Sequence, residues 1–297
     1  MQMLWFPVTL LCALSLATSD ALTKKALSAR YNEYLIAWFR LLLMLPPLSV
    51  LLLAVPAPAL GPEFLPTILT ALPLELAALV LYFKALKHSP LGLTVPFLAL
   101  TPVFLLVIPY LLLGERISPT GGIGILLIAA GSYMLNLRSR RDGFLAPFRA
   151  ILRERGSLCM IGVAVLYSFT ATLGKKAISV SSPFFFAGLY PILLFLCLTP
   201  VALWKGRNEL RLVRRKGILG ATLLPALFSF METVTGVVAL SLTNVAYMIA
   251  VKRLSLLIGV LYGHFLFREE GLRERLAGGG LMVIGVAFIV IGGEGTF

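Results

Sequence analysis

The chain is a succession of long apolar runs separated by short polar breaks. Ten runs have about the 20 mostly apolar residues that a helix needs to cross a bilayer. None shows the two-residue alternation of a membrane strand, so the pattern predicts an all-α integral membrane protein with ten transmembrane helices. The runs cover residues 4–22, 34–55, 66–86, 91–113, 120–137, 158–175, 183–204, 217–242, 245–267 and 276–292.

The composition of the 297-residue chain agrees with this pattern. Hydrophobic residues make up 59% and charged residues 13%, whereas soluble domains carry about 25% charged residues. This balance excludes a disordered chain, a fibre and a disulfide-rich secreted module. The three cysteines lie in apolar runs without CxxC spacing, and only two histidines are present. We therefore expect no metal site and no cofactor.

The two halves of the chain resemble each other. The motif Lys24-Lys25-Ala26 ends the first run, and Lys175-Lys176-Ala177 ends the sixth. Each half contains five runs, an odd number, so the second half enters the membrane in the opposite direction. The pattern predicts two inverted five-helix repeats around a central cavity, residues 1–138 and 157–297. The alternative is that any two apolar segments look alike, but further matches follow in the same order in both halves and include charged residues. They are Ala85 with Ala239, Glu115 with Glu269, Gly124 with Gly278 and Gly131 with Gly285.

The basic residues predict the orientation. Of the 26 lysines and arginines, 20 follow odd-numbered runs and 3 follow even-numbered runs. The positive-inside rule then puts the odd-numbered loops in the cytoplasm and both termini outside a plasma membrane. Because the basic residues lie in loops between apolar runs, we expect the net charge of +13 to reflect topology and not nucleic-acid binding. A signal peptide is the alternative for the first run, although no basic residue precedes it.

The segment 139–156 between the repeats is predicted to be a basic cytoplasmic linker. Leu145, Phe148 and Leu152 fall on one helical face, and arginines populate the rest. This pattern is typical of a short interfacial helix on anionic lipid headgroups, with a plain polar linker as the alternative.

Several motifs resemble the EamA-type members of the drug/metabolite transporter superfamily. They are Lys24-Lys25-Ala26, Arg40 early in the second run, and Gly114-Glu115-Arg116 after the fourth run. Two longer segments add to the set: Ala85 to Pro90 leading into Pro96 and Thr101-Pro102-Val103, and the glycine-bearing fifth run up to Gly131-Ser132-Tyr133. The resemblance implies a helical bundle that moves small solutes through a central cavity by alternating access. The family includes amino-acid exporters, nucleotide-sugar carriers and sugar-phosphate carriers, so the substrate stays open.

One feature departs from many EamA-type sequences, whose ninth span is uncharged. Here that span carries Lys252-Arg253, which resembles the sugar-phosphate translocator branch, where a basic pair contacts the phosphate. That branch also uses a basic residue from the first half, but the matching positions here, Leu98 and Ala99, are apolar.

Ionisable residues inside the runs are the candidates for a substrate site, because charges at membrane depth are costly unless they are paired or functional. Lys252, Arg253, Glu75 and Glu232 lie deepest, and Arg40 lies within two turns of a span start. Aligned by the repeat, Glu232 is about one helical turn beyond the position of Glu75, so both carboxylates can face one cavity. Either carboxylate is a candidate proton carrier, and the alternative for Glu232 is neutralisation of Lys252 or Arg253. Asp20 is expected to pair with Lys24, one turn away.

Tyrosines are weaker candidates for the lining of the cavity. Tyr82 and Tyr247 are predicted to contact substrate. Tyr167 and Tyr190 could line the cavity for the same reason, and helix packing is the alternative role for each of the four. Gly259 and Gly263 form a GxxxG motif that predicts close helix packing, within the bundle or across a homodimer.

The function predicted from these features is transport of a small polar metabolite, anionic or zwitterionic (amino acid-like or phosphorylated). Proton coupling or exchange would drive it, with the lipid bilayer and the small molecule as the partners. An intramembrane enzyme is the first alternative, but no HExxH, GxSxG or paired-acid metal motif is present. A channel or a non-transporting membrane partner protein is the second.

Overall fold

The computed structural model describes residues 4–27, 33–88, 95–136, 155–210, 217–268 and 272–292. These residues form helices and contain no β-strand. The helices are α1 Trp5–Leu27, α2 Glu33–Ala54, α3 Phe64–His88, α4 Thr101–Phe104, α5 Ile108–Leu113, α6 Pro119–Asn136, α7 Arg155–Ser179, α8 Pro183–Leu210, α9 Ile218–Leu242, α10 Val245–Lys252, α11 Leu254–Phe267 and α12 Leu272–Gly292. A 3₁₀ segment, Val95–Leu100, precedes α4. The predicted interfacial helix around Phe148 lies outside the described residues.

Each predicted run falls on helical structure, but the helices differ in length. In the described part of the chain, eight helices are long and apolar enough to cross a membrane, and Phe97–Leu113 and Pro119–Leu135 are shorter apolar stretches. The fourth run is divided because Pro102 and Pro109 lack an N–H and sit in the first turns of α4 and α5. Gly114 then ends α5 with a left-handed backbone, φ 71°.

The ninth run is also divided. It consists of α10 and α11, which meet at Arg253. The Arg253 N–H donates to the carbonyls of both Ile249 and Ala250. The bond to Ala250, three residues earlier, is of the 3₁₀ type, so the helix is locally tighter at this residue. The break places Arg253 at the junction of two helices inside the bundle.

The contact between α6 and α12 is made by glycines. A Cβ on Gly124 would lie 2.5 Å from the carbonyl oxygen of Gly285, and one on Gly131 would lie 2.5 Å from that of Gly278. The two backbones therefore touch directly, as small residues allow in membrane helices. Since the contact partner moves backwards on α12 as the position advances on α6, the two helices run antiparallel.

Helices of one half pack mainly on helices of the other half. The most extensive contacts join α6 with α12, α3 with α7, α1 with α9, and α2 with α8. The first helix thus lies within the bundle, against α9 and α11. Gly259 has open space beside its Cα, so no helix of the described chain packs closely there.

The two ends of the bundle differ. At one end, which we call the closed end, short links join the helices: 55–63, 114–118, 180–182 and 243–244. Hydrogen bonds connect these links, including Gly61 N–H to the Val180 carbonyl at 2.9 Å, and α10 is buried beside them. At the opposite end α2 with α9 and α3 with α7 form separate apolar clusters, and we call it the open end for this separation. The Asp20 side chain, two turns before the end of α1, is 63% exposed there.

Candidate functional site

A cavity of about 530 Å³ lies inside the bundle, within the range of small-molecule sites. Residues from both halves of the chain line it, and four of them carry a charged side chain: Glu75, Glu232, Lys252 and Arg253. The structure therefore brings together the four deepest charges identified in the sequence. The polar and aromatic residues beside them are Thr101, Tyr167, Thr170, Phe186, Tyr190, Thr233 and Ser255.

Glu232 and Lys252 form an ion pair in the cavity wall. The Lys252 ammonium donates a hydrogen bond to the Glu232 carboxylate, and the Lys252 and Glu232 side chains are 23% and 20% exposed respectively. The residues lie on α9 and α10, the two arms of one helical hairpin. Neutralisation of Lys252 by Glu232, one of the alternatives open from the sequence, is the arrangement observed.

Arg253 has no such partner. Its Nε atom is buried, and within the described part of the chain it has no hydrogen-bond partner. Tyr167 lies near enough to interact electrostatically with the guanidinium. Because a cation removed from water is costly without a counter-charge, Arg253 is the group in the cavity that most needs an anion.

Glu75 lies on α3 and faces the same cavity. The Thr170 hydroxyl and the Lys252 ammonium lie near enough to interact with its carboxyl group. Among the described residues its carboxylate has no ion pair closer than 4 Å. Among the described residues, the cavity thus holds one ion pair, Glu232 with Lys252, and two charges of opposite sign without an ion-pair partner, Glu75 and Arg253.

Aromatic rings form one wall of the cavity. Phe186 and Tyr190 stack with their ring centroids 5.0 Å apart and an interplanar angle of 18°. Both rings line the cavity, so a flat apolar surface stands beside the charged groups.

Arg40, Asp20 and Tyr82 form a second polar group towards the open end. The Arg40 guanidinium is 3.9 Å from the Asp20 carboxylate, and Tyr82 interacts electrostatically with both. Neither Arg40 nor Tyr82 is among the residues that line the cavity. Asp20 thus contacts a residue on the next helix, and its expected ion pair with Lys24 stays a prediction.

Tyr247 lies at the closed end, away from the cavity lining. It is fully buried, and its hydroxyl is 3.0 Å from the Ser118 hydroxyl and accepts from the Ser118 N–H at 3.1 Å. Glu115 in the same link accepts a hydrogen bond from the Val245 N–H at 2.9 Å. Burial raises the pKa of the Glu115 carboxyl, and the Val245 N–H and the Lys175 ammonium act in the opposite direction.

Thr170 is the contact that the sequence analysis missed. Tyr167, Thr170 and Gly174 are spaced i, i+3 and i+7 on α7 and all line the cavity. A polar stripe at this spacing on an otherwise apolar helix was the available signal. Phe186 gave no signal, because an aromatic residue in an apolar helix is equally typical of packing.

Within the described ranges, no group of three or more His, Cys, Asp or Glu side chains is placed to hold a metal ion. The cavity therefore offers charge and hydrogen bonding to a ligand, without a metal centre built from these residues.

Comparisons with known proteins agree with a transporter architecture. A comparison with solved structures matches 28 chains, among them a crystal structure with a TM-score of 0.72 and 14% sequence identity. The alignment with it covers 99% of both chains and shows that the fold is shared. A comparison with curated proteins finds no match. The model of the EamA-like transporter family matches residues 3–137 and again residues 154–291. The chain belongs to the EamA-like transporter family.

Proposed function

We propose that the protein is an alternating-access carrier for a small zwitterionic metabolite, of amino-acid-like chemistry, bound in the central cavity. The observation that carries this proposal is the buried Nε of Arg253, which has no hydrogen-bond partner among the described residues, in a cavity whose other cation, Lys252, is already paired. Tyr167, Tyr190 and Thr170 would complete the site around the bound molecule.

Arg253 is the proposed anchor for an acidic group. A guanidinium presents a planar fork of donors that matches a carboxylate with two parallel hydrogen bonds. The backbone hydrogen bonds of Arg253 fix the position of its Cα, so the side chain loses less conformational entropy when a ligand binds. A ligand carboxylate would supply the counter-charge that the protein does not.

Glu75 is the proposed partner for a positively charged group. With Glu232 and Lys252 neutralising each other, a single negative charge at Glu75 opposes a single positive charge at Arg253. A bound zwitterion adds no net charge to the cavity. A phosphate dianion would add two negative charges to a cavity whose wall already holds two carboxylates. The geometry therefore favours the amino-acid-like class over the phosphorylated class.

Glu75 is also the proposed coupling residue. A carboxylate can hold a proton or an ammonium group, but not both, so the two compete for it. Competition of this kind exchanges a proton for substrate across the membrane. Glu232 is the weaker candidate because its charge is held by Lys252.

The alternating cycle rests on the proposed inverted repeat. Two observations support the inverted repeat. The last helices of the two halves, α6 and α12, run antiparallel. The contact of α3 with α7 has its equivalent in the contact of α9 with α1, as expected if α3 corresponds to α9 and α1 to α7. We propose ten spans, counting the two shorter stretches, with the closed end outside and the open end in the cytoplasm. The support for this orientation is the excess of basic residues in the loops that follow odd-numbered runs.

Binding of matched small molecules to purified protein tests the proposal. The twenty common amino acids are screened by thermal shift in detergent, since a ligand that binds only folded protein raises the unfolding temperature. The best ligand is then compared with its analogue lacking the amino group and its analogue lacking the carboxyl group. We expect both analogues to bind at least about tenfold more weakly, because each leaves one buried charge unpaired.

Variants identify the residues involved. Arg253→Lys keeps the charge but loses the fork, and should weaken binding of the amino acid, whereas Arg116→Lys at the exposed link should not. Glu75→Gln should remove the preference for the amino group. Binding of simple carboxylates as tight as that of amino acids would refute the zwitterion. Failure of every carboxylate to bind folded protein would refute Arg253 as the anchor.

A further inference from the structure

The closed end is held by contacts that converge on one short link of the first half. This link, residues 114–118 between α5 and α6, is called the latch. Its Glu115 carboxylate accepts from the Val245 N–H at 2.9 Å, and its Arg116 carbonyl accepts from the Asn244 side chain at 3.0 Å. Its Ser118 contacts the Tyr247 hydroxyl and donates to the Gly292 carbonyl at 2.7 Å. Every one of these partners lies in the second half.

The latch contacts the second half at the hairpin that carries the cavity charges. Val245 is the first residue of α10, and Arg253 follows its last residue. A carboxylate at this position satisfies a free backbone N–H of the first turn and faces the positive end of the helix dipole. At a rise of about 1.5 Å per residue, α10 is a rod of about 12 Å between the latch and the cavity. One short helix therefore joins the residue that Glu115 contacts to Lys252 and Arg253.

A lysine supports the same hairpin from a third helix. The Lys175 ammonium, at the end of α7, donates to the carbonyls of Leu240 at 2.6 Å and Thr243 at 2.9 Å. These are carbonyls of the last turn of α9 and of the residue after it, where a cation is favourable. Glu115 and Lys175 also attract each other. The turn between α9 and α10 is thus held by charged groups on both sides.

We propose that the latch holds the closed end shut, and that its release from the α9–α10 hairpin opens the cavity on that side. The inference rests on the proposed alternating-access function. It assigns Glu115, Ser118 and Tyr247 as positioning residues, because they act on the cavity through α10 and do not line it.

Distances between spin labels test the latch without a known substrate. In a background without the three native cysteines, one label pair replaces Leu112 and Leu242 at the closed end. A second pair replaces Leu158 and Leu219 at the open end. All four side chains are exposed. Pulsed electron paramagnetic resonance then reports the conformers present at each end in nanodiscs.

Two variants weaken the latch in different ways. Glu115→Ala removes a charged acceptor, and Tyr247→Phe removes only a hydroxyl while the ring keeps its packing. For Glu115→Ala we expect about a tenfold rise in the ratio of long to short distances at the closed end, since hydrogen bonds to charged groups are the stronger ones. The open-end pair should gain shorter distances. Tyr247→Phe should act in the same direction and more weakly.

The matched control is Glu63→Gln. Glu63 also pairs with a lysine across the two halves at this end, Lys176 at 2.9 Å, but the Glu63 side chain is 60% exposed. Among the described residues, neither side chain has a hydrogen bond or ion pair with the α9–α10 hairpin. We expect its distances to equal those of the parent. Unchanged distances in both latch variants, or an equal change in Glu63→Gln, would overturn the latch. If Glu115→Ala does not fold, Tyr247→Phe decides alone. A parent that shows one conformer at both ends, with and without the amino acids above, would instead count against the carrier itself.

Discussion

Replacing Glu232 with Gln removes the counter-charge of Lys252 inside the cavity wall. Two unit charges 4 Å apart attract by about 4 kcal/mol at an effective dielectric constant of 20 and by about 1 kcal/mol in water. Both side chains are only about one-fifth exposed, 20% and 23%, so the pair lies nearer the first limit. The variant also leaves two adjacent cations, Lys252 and Arg253, with Glu75 as the one carboxylate that lines the cavity with them. We therefore expect Glu232→Gln to lower the free energy of unfolding by about 2–4 kcal/mol.

The assay is thermal unfolding in detergent, followed by the intrinsic tryptophan fluorescence. At about 2–4 °C per kcal/mol, Glu232→Gln should lower the unfolding temperature by roughly 5–10 °C. Lys252→Met should also be destabilising, and the double variant should recover more than half of the loss, because it removes both charges of the pair and leaves neither one unpaired. Asp20→Asn is the matched control: its pair with Arg40 spans 3.9 Å and Asp20 is 63% exposed, so the expected cost is below about 1 kcal/mol.

The result that would refute this reasoning is equality of the two acidic variants. If Glu232→Gln and Asp20→Asn lower the unfolding temperature equally, the cavity is hydrated enough to screen the pair like a surface contact. A double variant less stable than either single variant would show that Lys252 has a different counter-charge in the folded protein.

Three further outcomes are expected. Gly124→Ala should destabilise the protein by about 1–3 kcal/mol because its Cβ would meet the Gly285 carbonyl at 2.5 Å, whereas Gly122→Ala, with open space, should stabilise it or leave it unchanged in the same unfolding assay. In proteoliposomes with a pH gradient, Glu75→Gln should abolish substrate accumulation while preserving exchange, and a normal pH response would exclude it as the coupling residue. In intact cells without other cysteines, a cysteine replacing Asp142 should resist an impermeant thiol reagent, and ready labelling would reverse the proposed orientation.

Hydropathy was sufficient to predict an all-helical membrane protein, because apolar length depends on the sequence alone. It did not predict the breaks. The proline positions gave a signal for the divided fourth run, and Pro109 does sit in the first turn of α5. No residue type announces the turn at Arg253, which depends on backbone hydrogen bonds to two carbonyls of the preceding turn. Helix boundaries inside a bundle reflect neighbours as well as propensity.

The charged residues of the candidate site were predictable from the sequence, because charged residues are rare in apolar spans. Depth and the repeat register indicated Glu75, Glu232, Lys252 and Arg253, and all four line one cavity. The pairing of Glu232 with Lys252 was one of the alternatives, since both neighbouring cations were candidates. The location of Tyr247 was not predictable, because its partner Ser118 is far away in the sequence and the contact exists only once two halves are packed. The presence of a tyrosine in an apolar run does not tell whether it lines the cavity or packs at the closed end of the bundle.

In the proposed carrier, the charge state of Glu75 would determine which ligand the cavity accepts at each stage of a transport cycle. With Glu75 ionised, the four charged groups sum to zero, and a zwitterion would satisfy Arg253 and Glu75 together. With Glu75 protonated, Arg253 remains as the single uncompensated charge, and the ammonium of the same zwitterion loses its partner. Proton binding would therefore weaken substrate binding in the closed and open conformations alike. A carrier with this property returns across the membrane with either the proton or the substrate bound, which is the requirement for exchange, and it needs no charged group beyond the four already in the cavity.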